Sequence, residues 1–432
     1  MKPSAQRIAL LGHGTVGAET ARALTGRTQE LAARIGAPVQ LVGVAVRNRR
    51  ELPGIDRRLV TTDASALVSR GDIDVVIELI GGVEPARSLT VAAMESGAAV
   101  VTANKALMAR DGVDLHRTAE KHGVELSYEA AVAGAVPLLR PLRQSLAGDR
   151  VRRVTGIVNG TANFVLDRMT TSGGTFQGAL REAQRLGYAE ADPTADVSGA
   201  DAAAKMAVLT RLAFDTELPV ADVHCEGIAH IRPSDIQHAR ADRCVLKLVG
   251  ICDRTAEGVC ARVHPMLLPL DHPLASVRGA YNGILVEAEA AGELMFHGRG
   301  AGGAATSSAV LGDLVEVCRN RVNGTAGRGP AFSARLPVRP HAQVATSHVV
   351  SMLVEDRAGV LSRVSAVFAR HGVSLGTVRQ EGVETMAQLT VSTHPASDAA
   401  LAAVFAELDG LSSVRGITRS IRRLEREKEP AR

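Results

Sequence analysis

Aromatic residues are scarce in this chain: no tryptophan, three tyrosines and seven phenylalanines, 2% of 432 residues. A nucleic-acid groove needs stacking platforms and clustered cations. With few platforms, and basic residues spread along a chain of net charge +4, no nucleic-acid partner is expected. Cysteine is also sparse. The five (Cys225, Cys244, Cys252, Cys260, Cys318) form no C-x-x-C pair and leave one over, which fits a reducing, cytoplasmic compartment. Long apolar runs are missing too. The first, Ile8–Leu11, ends at a glycine, too short for a signal segment, and no run approaches a membrane span. Finally, of 50 basic residues only Lys2, Lys105, Lys121, Lys205, Lys247 and Lys428 are lysine. Arginine keeps its proton whereas lysine can give it up, so each lysine in so arginine-rich a chain is a candidate for proton chemistry.

The chain is too long for one ordinary core, so two or three domains are expected. Strand-like runs at Arg7–Leu11, Gln40–Val46, Asp74–Ile80, Ala98–Thr102 and Leu126–Ala130 alternate with helical stretches such as Ala18–Leu24. That alternation predicts an α/β unit with a parallel, doubly wound sheet ending near residue 135. Helical periodicity at Ala162–Met169, Thr175–Leu186 and Ser198–Phe214, then strands at Val245–Ile251, Gly258–Val263 and Ile284–Ala288, predicts an α+β unit over 136–305. Thr306–Asn323 reads as a helix returning to the first unit, within a segment of about 306–330. A proline-bearing linker over 330–345 leads to βαββαβ across 346–425, including a strand at Thr385–Val391 and a helix at Ala399–Leu408. This is the ferredoxin-like pattern. The charged end, Arg423–Arg432 with a tail proper from 426, is expected to fray.

Two motifs carry chemistry. Gly12, Gly14 and Gly17 fit G-x-G-x-x-G between a strand and a helix, where the backbone can approach a pyrophosphate and helix N–H groups receive it. The second strand runs into Arg47, Asn48, Arg49 and Arg50 with no carboxylate for a ribose 2′-hydroxyl, which favours NADP and leaves NAD as the alternative. The second motif places Glu190, Asp192, Asp196 and Asp201 ahead of Lys205. Asp201 and Lys205 share a helix face. A capping box from Ser198 and a surface ion pair would also explain them, but the surrounding helix is alanine-rich and apolar, and buried charges ask for a function.

The stretch Gly187 to Lys205 resembles the signature of homoserine dehydrogenases. So do DVVIELIGG (74–82), TANKAL (102–107), YEAAVAGAVP (128–137), NGTANF (159–164) and GRGAGGAATSSAVLGDL (298–314). The likeness runs through residues 1–345, and DRAGVLSRVSAVFARHGVSL (356–375) resembles ACT domains. The resemblance implies a Rossmann-type domain, a catalytic and dimerisation domain and an ACT regulatory domain. It implies reversible NAD(P)H-dependent reduction of L-aspartate 4-semialdehyde to L-homoserine, in threonine, methionine and isoleucine biosynthesis. Lys205 would donate the proton, with Asp201 and Lys105 as catalytic partners. Glu190, Asp201, Asp196, Asn159 and Thr161 would bind substrate. Thr15, Val16, Gly81, Lys105 and Gly302 would join the glycine loop and Arg47, Arg49 and Arg50 around the cofactor. Glu129, Val132, Gly134 and Val136 would hold a monovalent cation, sodium, mainly by backbone carbonyls. Threonine would be the effector, at Asp356, Gly359 and Val360, and the assembly a homodimer or homotetramer.

Ala162 and Phe164 stand where the family pattern has threonine and tyrosine, and Arg299 interrupts a run that otherwise reads G-P-G-A-G. Two rival readings are a catalytically silent ACT-containing amino-acid sensor and another ACT-fused dehydrogenase. A kinase fusion is not expected ahead of a dehydrogenase starting at residue 7.

Overall fold

Residues 6–11 put five of six side chains out of water, as a strand covered by helices on both faces must. The computed structural model describes residues 4–327, 329–330, 332, 334–383 and 386–425. In it β1 (Gln6–Leu11), β2 (Val39–Ala45), β3 (Val60–Thr61), β4 (Val75–Glu78), β5 (Ala99–Thr102) and β6 (Leu126–Ser127) form a parallel sheet in the order β3-β2-β1-β4-β5-β6. The order reverses between β1 and β4, and ligands of such sheets bind at that crevice. The expected fifth strand through Ala130 stops at Ser127. Glu129 instead turns inward, its N–H donating to Asp313 Oδ2 at 2.8 Å, and a single 3₁₀ turn, Glu129–Ala131, replaces the strand.

Helix Gly303–Val322 returns to this unit. Its Val310, Leu314, Val317 and Cys318 share a core with Ile8, Leu10, Val44 and Ile77, and Thr20 bonds Ser307 at 3.0 Å.

The second sheet contains β7 (Val151–Ile157), β8 (His224–Cys225), β9 (Cys244–Thr255), β10 (Gly258–Pro269), β11 (Tyr281–Ala288), β12 (Gly292–Arg299), β13 (Ala345–Glu355), β14 (Leu375–Val383), β15 (Met386–Thr393), β16 (Ala396–Ser397) and β17 (Val414–Arg423). Its main path runs β12-β11-β7-β9-β10-β17-β13-β15-β14. β7 and β12 were not apparent in the sequence, and the expected start of β15 at Thr385 lies outside the described residues. The last four strands of that path, with helices Val360–Arg370 and Asp398–Asp409, make the ferredoxin-like unit around Val350, Met352, Val364, Phe368, Leu389 and Val404.

The middle and C-terminal units are therefore one continuous sheet, joined by parallel pairing of Met266 with Arg422 and Leu267 with Arg423. An open strand edge invites foreign pairing. The outer edge of β10 is covered in three pieces: Val338 beside Val259, β8 beside Arg262 and Val263, and β17. That join corrects the expectation of fraying from Arg423. Arg423 is paired and Leu424 N donates to Leu267 O at 2.9 Å, while 426–432 lie outside the described residues. Within the expected linker, Ala334 and Val338 likewise bridge to the middle unit at Thr216 and Val259.

Candidate active site

At the end of β1, Gly12 has φ +95°, and a Cβ there would run into the Leu79 carbonyl. Gly17 has no room either, because its Cβ would strike the Gly12 carbonyl. Gly14 faces open space, Thr15 opens the helix Thr15–Gly26, and Val16 follows half-buried. Gly303 packs on the Thr15 backbone with Gly302 at φ +112° before it, so the glycine-rich return meets the cofactor loop. Arg50 donates to the His13 carbonyl at 2.8 Å, while Arg47 and Arg49 are exposed.

Across the crevice, fully buried Glu78 ends β4. It accepts from Ile80 N at 2.7 Å, Gly81 N at 3.3 Å and Thr102 Oγ1 at 2.6 Å. Thr102 Oγ1 in turn accepts from Asn104 N, and Asn104 caps the helix Lys105–His122 through Leu107 N. This clip fixes the Gly81 turn and sets Lys105 at the first position of its helix.

Asn159 caps helix Gly160–Ser172, its Oδ1 accepting from Ala162 N at 2.7 Å. That bond fixes the amide orientation, so Nδ2 faces two carboxylates, Asp196 Oδ1 at 2.7 Å and Asp201 Oδ2 at 2.8 Å. Thr161 Oγ1 holds the Tyr188 carbonyl at 2.7 Å, drawing the turn before Glu190 onto the same helix. Asp201 sits in the first turn of Ala200–Phe214, a helix with no side-chain cap, so the capping-box alternative fails. The surface-pair alternative fails too, because Asp201 is 5% and Lys205 9% exposed.

Lys205 Nζ lies 2.7 Å from Asp201 Oδ2 and donates to the Val158 carbonyl at 2.7 Å. Lys105 Nζ pairs with Asp201 Oδ1. One carboxylate thus bridges two ammoniums from different domains. Burial favours neutral Asp201, but Lys205 and Lys105 outweigh it and hold the carboxyl well below its usual range. Burial likewise opposes the Lys105 charge, but Asp201, Asp196 and Glu190 together raise its pKa above ordinary lysine. The half-exposed Lys105 and exposed Glu190 border solvent, where a substrate can enter.

Three contributors escaped the sequence reading. Glu78 lay inside a quoted motif without a role. The Val158 carbonyl has no side-chain signature. Asn282, fully buried, donates to that same carbonyl at 3.2 Å from a strand distant in sequence.

The loop after β6 does not offer the Glu129 side chain to a cation. Its carboxylate accepts from Leu138, Leu139 and Arg140 N–H groups at 2.5 to 2.9 Å. Val132, Gly134 and Val136 are buried residues whose carbonyls accept no hydrogen bond from the described residues, whereas that of Ala133 accepts from Val136 N. In the C-terminal unit, Gly359 takes φ +86° ahead of helix Val360–Arg370, Val360 is buried, and Asp356 accepts from Gln380 at 2.9 Å. This region is far along the chain from the lysine–carboxylate cluster and is not brought into it.

A glycine loop at the switch point of a Rossmann sheet, facing a buried lysine–carboxylate cluster, defines a nicotinamide-dependent oxidoreductase. Comparison with known proteins narrows this class. Residues 12–129 match the NAD-binding domain of homoserine dehydrogenase, 137–315 match homoserine dehydrogenase itself, and 348–410 match the ACT domain. A homoserine dehydrogenase of Mycobacterium bovis is 50% identical over 96% of this chain and 97% of its own. One of Corynebacterium glutamicum is 49% identical over 98% and 96%. The crystal structure of a homoserine dehydrogenase from Thiobacillus denitrificans superposes with a TM-score of 0.91 at 35% identity, covering 98% of this chain and 100% of that one. The chain belongs to the homoserine dehydrogenase family: an NAD(P)-dependent oxidoreductase of amino-acid biosynthesis carrying an ACT domain. Among the described residues no helix is long and apolar enough to cross a membrane.

Proposed function

We propose that Lys205 is the proton donor to the aldehyde oxygen of L-aspartate 4-semialdehyde, and the acceptor of that proton when L-homoserine is oxidised. The observation that carries this reading is the Asp201 carboxylate shared by Lys205 and Lys105. Reduction builds negative charge on the aldehyde oxygen, and a fixed ammonium both stabilises it and delivers a proton. The bound nicotinamide supplies the hydride. Val158 and Asp201 occupy two of the three Lys205 N–H directions, leaving one for substrate. Lys105 stands at the nicotinamide side, and Glu190 and Asp196 receive the substrate ammonium, with Asn159 and Thr161 shaping the pocket.

NADP is the preferred cofactor in this reading, because Arg47, Arg49 and Arg50 stand where a carboxylate would select NAD. Gly12, Gly14, Gly17, Thr15, Val16, Gly81 and Gly302 enclose it. A sodium ion would be held by the backbone carbonyls of Val132, Gly134 and Val136 together with Glu129, as the likeness to the family implies. Threonine is the effector, its carboxylate received at the helix start by Gly359 and Val360 next to Asp356. The enzyme acts in the cytoplasm as a homodimer or homotetramer.

The test is NADP- and NAD-linked oxidation of L-homoserine, with and without threonine. NADP should give the higher kcat/KM, and threonine should raise KM or lower kcat. Equal use of the two cofactors, or indifference to threonine, would remove the corresponding part.

A further inference from the structure

The acidic loop of the active site is backed by a segment of the middle unit that itself pairs with the C-terminal unit. Val197–Ala200 joins Asp196 to Asp201, and its support is the segment 225–228. Ile228 N donates to the Val197 carbonyl at 2.8 Å, and Cys225 Sγ lies 3.3 Å from the Ser198 carbonyl. Gly227 lies so close to Val197 and Ser198 that a Cβ would clash with their backbone. At Gly199, φ is +85° and a Cβ would sit 2.9 Å from Cys225 Sγ. Backbone this tightly packed moves as one piece.

Glu226 lies in the middle of that segment, and its carboxylate turns toward the C-terminal unit. Its Oε2 pairs with Arg422 Nη1 at 2.8 Å, and Arg422 Nη2 pairs with Asp398 Oδ2 at 2.5 Å. Arg422 is on β17, and Asp398 opens the helix Asp398–Asp409. The surroundings are rich in groups that can carry charge. His224 meets Glu226 Oε1 at 2.8 Å and stacks on His341, while His348 lies 3.4 Å from Asp398 Oδ1. His264 is buried near His224. Burial works against both carboxylates, yet His224 and Arg422 hold Glu226, and His348 and Arg422 hold Asp398, well below their usual range. The Arg422 side chain is 13% exposed and its partners Asp398 and Glu226 are 16% and 35% exposed, so the Asp398 side of the bridge is the less screened. β17 pairs with β10 in register at Met266–Arg422 and Leu267–Arg423, so Arg422 sits at the join itself.

We infer that Arg422 is a positioning residue for substrate binding: through Glu226 and the 225–228 segment, the ACT domain sets the placement of Asp196 and Asp201 in the active site. Any movement of the Asp398 helix or of β17 pulls on Arg422 and reaches the substrate carboxylates through one ion pair and one backbone layer. This rests on the reading that Glu190, Asp196 and Asp201 face substrate. It specifies how an event in the regulatory domain alters homoserine affinity.

The experiment uses the full chain with no effector. Arg422→Ala, Glu226→Gln and the double variant are compared for the KM of L-homoserine, the KM of NADP and Tm. Arg415→Ala, which breaks only an exposed pair with Glu355, and Asp196→Asn serve as references. Each single variant should raise homoserine KM about five- to tenfold, the low end for coupling between sites. NADP KM should stay level, and the double variant should show no further loss, as expected for one shared interaction. Arg422→Lys should recover part of the affinity; if Arg422→Ala does not fold, Arg422→Lys and Glu226→Gln decide. Unchanged homoserine KM in the Arg422 and Glu226 variants, with Asp196→Asn raising it, overturns the inference and leaves the substrate site standing. If Asp196→Asn also leaves KM unchanged, the substrate-site reading falls and the inference with it.

Discussion

Replacing Asn159 by aspartate changes one NH₂ into an oxygen and almost nothing in shape, which makes it a sharp probe of the cluster. The cap on helix Gly160–Ser172 survives, since the oxygen that accepts from Ala162 N is retained. The two hydrogen bonds donated to Asp196 and Asp201 are lost, and each, being made to a charged group, contributes about 1.5–3 kcal/mol. In their place stands a third carboxylate. Two like charges about 4 Å apart near a protein surface repel by roughly 4 kcal/mol, partly relieved by binding a proton or by Lys205 moving. The substrate carboxylates are therefore displaced, and kcat/KM for homoserine should fall about 10²- to 10³-fold, the equivalent of roughly 3–4 kcal/mol. Asn159→Ala loses the cap, costing about 1 kcal/mol of stability, but introduces no charge. The aspartate variant should thus be the less stable as well as the less active of the two, because about 4 kcal/mol of repulsion outweighs a cap of about 1 kcal/mol. Steady-state homoserine oxidation and thermal melts measure both orders. If Asn159→Asp keeps near-wild-type kcat/KM, or is the more active of the pair, the electrostatic account of this site is wrong.

Gly12→Ala and Gly14→Ala should separate. The first forces a Cβ into Leu79 at φ +95° and should lower Tm and cofactor affinity together, whereas the second meets no atom within 4 Å and should weaken NADPH binding at nearly unchanged Tm, as fluorescence titration and melts would show. Lys247 is buried against Asn163 Oδ1 and the Val277 carbonyl, and burial lowers its pKa to about 8 from 10.5. Between those values the unfolded chain keeps a proton that the folded protein has released, so stability rises with pH across the window, by up to about 3 kcal/mol. Chemical denaturation at pH 7.5 and 10 should show this rise in wild type and its loss in Lys247→Met. Glu78→Gln leaves Thr102 and the Gly81 turn with a neutral partner and should raise cofactor KM several-fold more than homoserine KM; equal effects on both would contradict its role as the clip of the nucleotide side.

Local pattern carried the fold a long way. Apolar runs, rich in valine in β2, β4 and β5, mark these strands and β1 because strands buried on both faces need continuous apolar residues. β12 was invisible for the opposite reason: an edge strand alternating exposed with half-exposed residues has no apolar run to detect. The join between β10 and β17 could not be read at all, since pairing between Leu267 and Arg423 leaves no trace in either segment. At the site, Asp201 and Lys205 announced themselves as charges in an alanine-rich helix. Lys105 meeting the same carboxylate depends on the packing of two domains, and Glu226 and Arg422, 196 residues apart, meet only through the fold.

The central claim is proton transfer by Lys205, and the most direct measurement compares wild type with Lys205→Ala in NADP-linked oxidation of L-homoserine, with NADPH binding measured separately. The account predicts a kcat lower by about 10²- to 10⁴-fold, the usual contribution of a positioned acid–base group, with NADPH affinity unchanged. A loss of less than about tenfold would contradict it and hand the proton to another group.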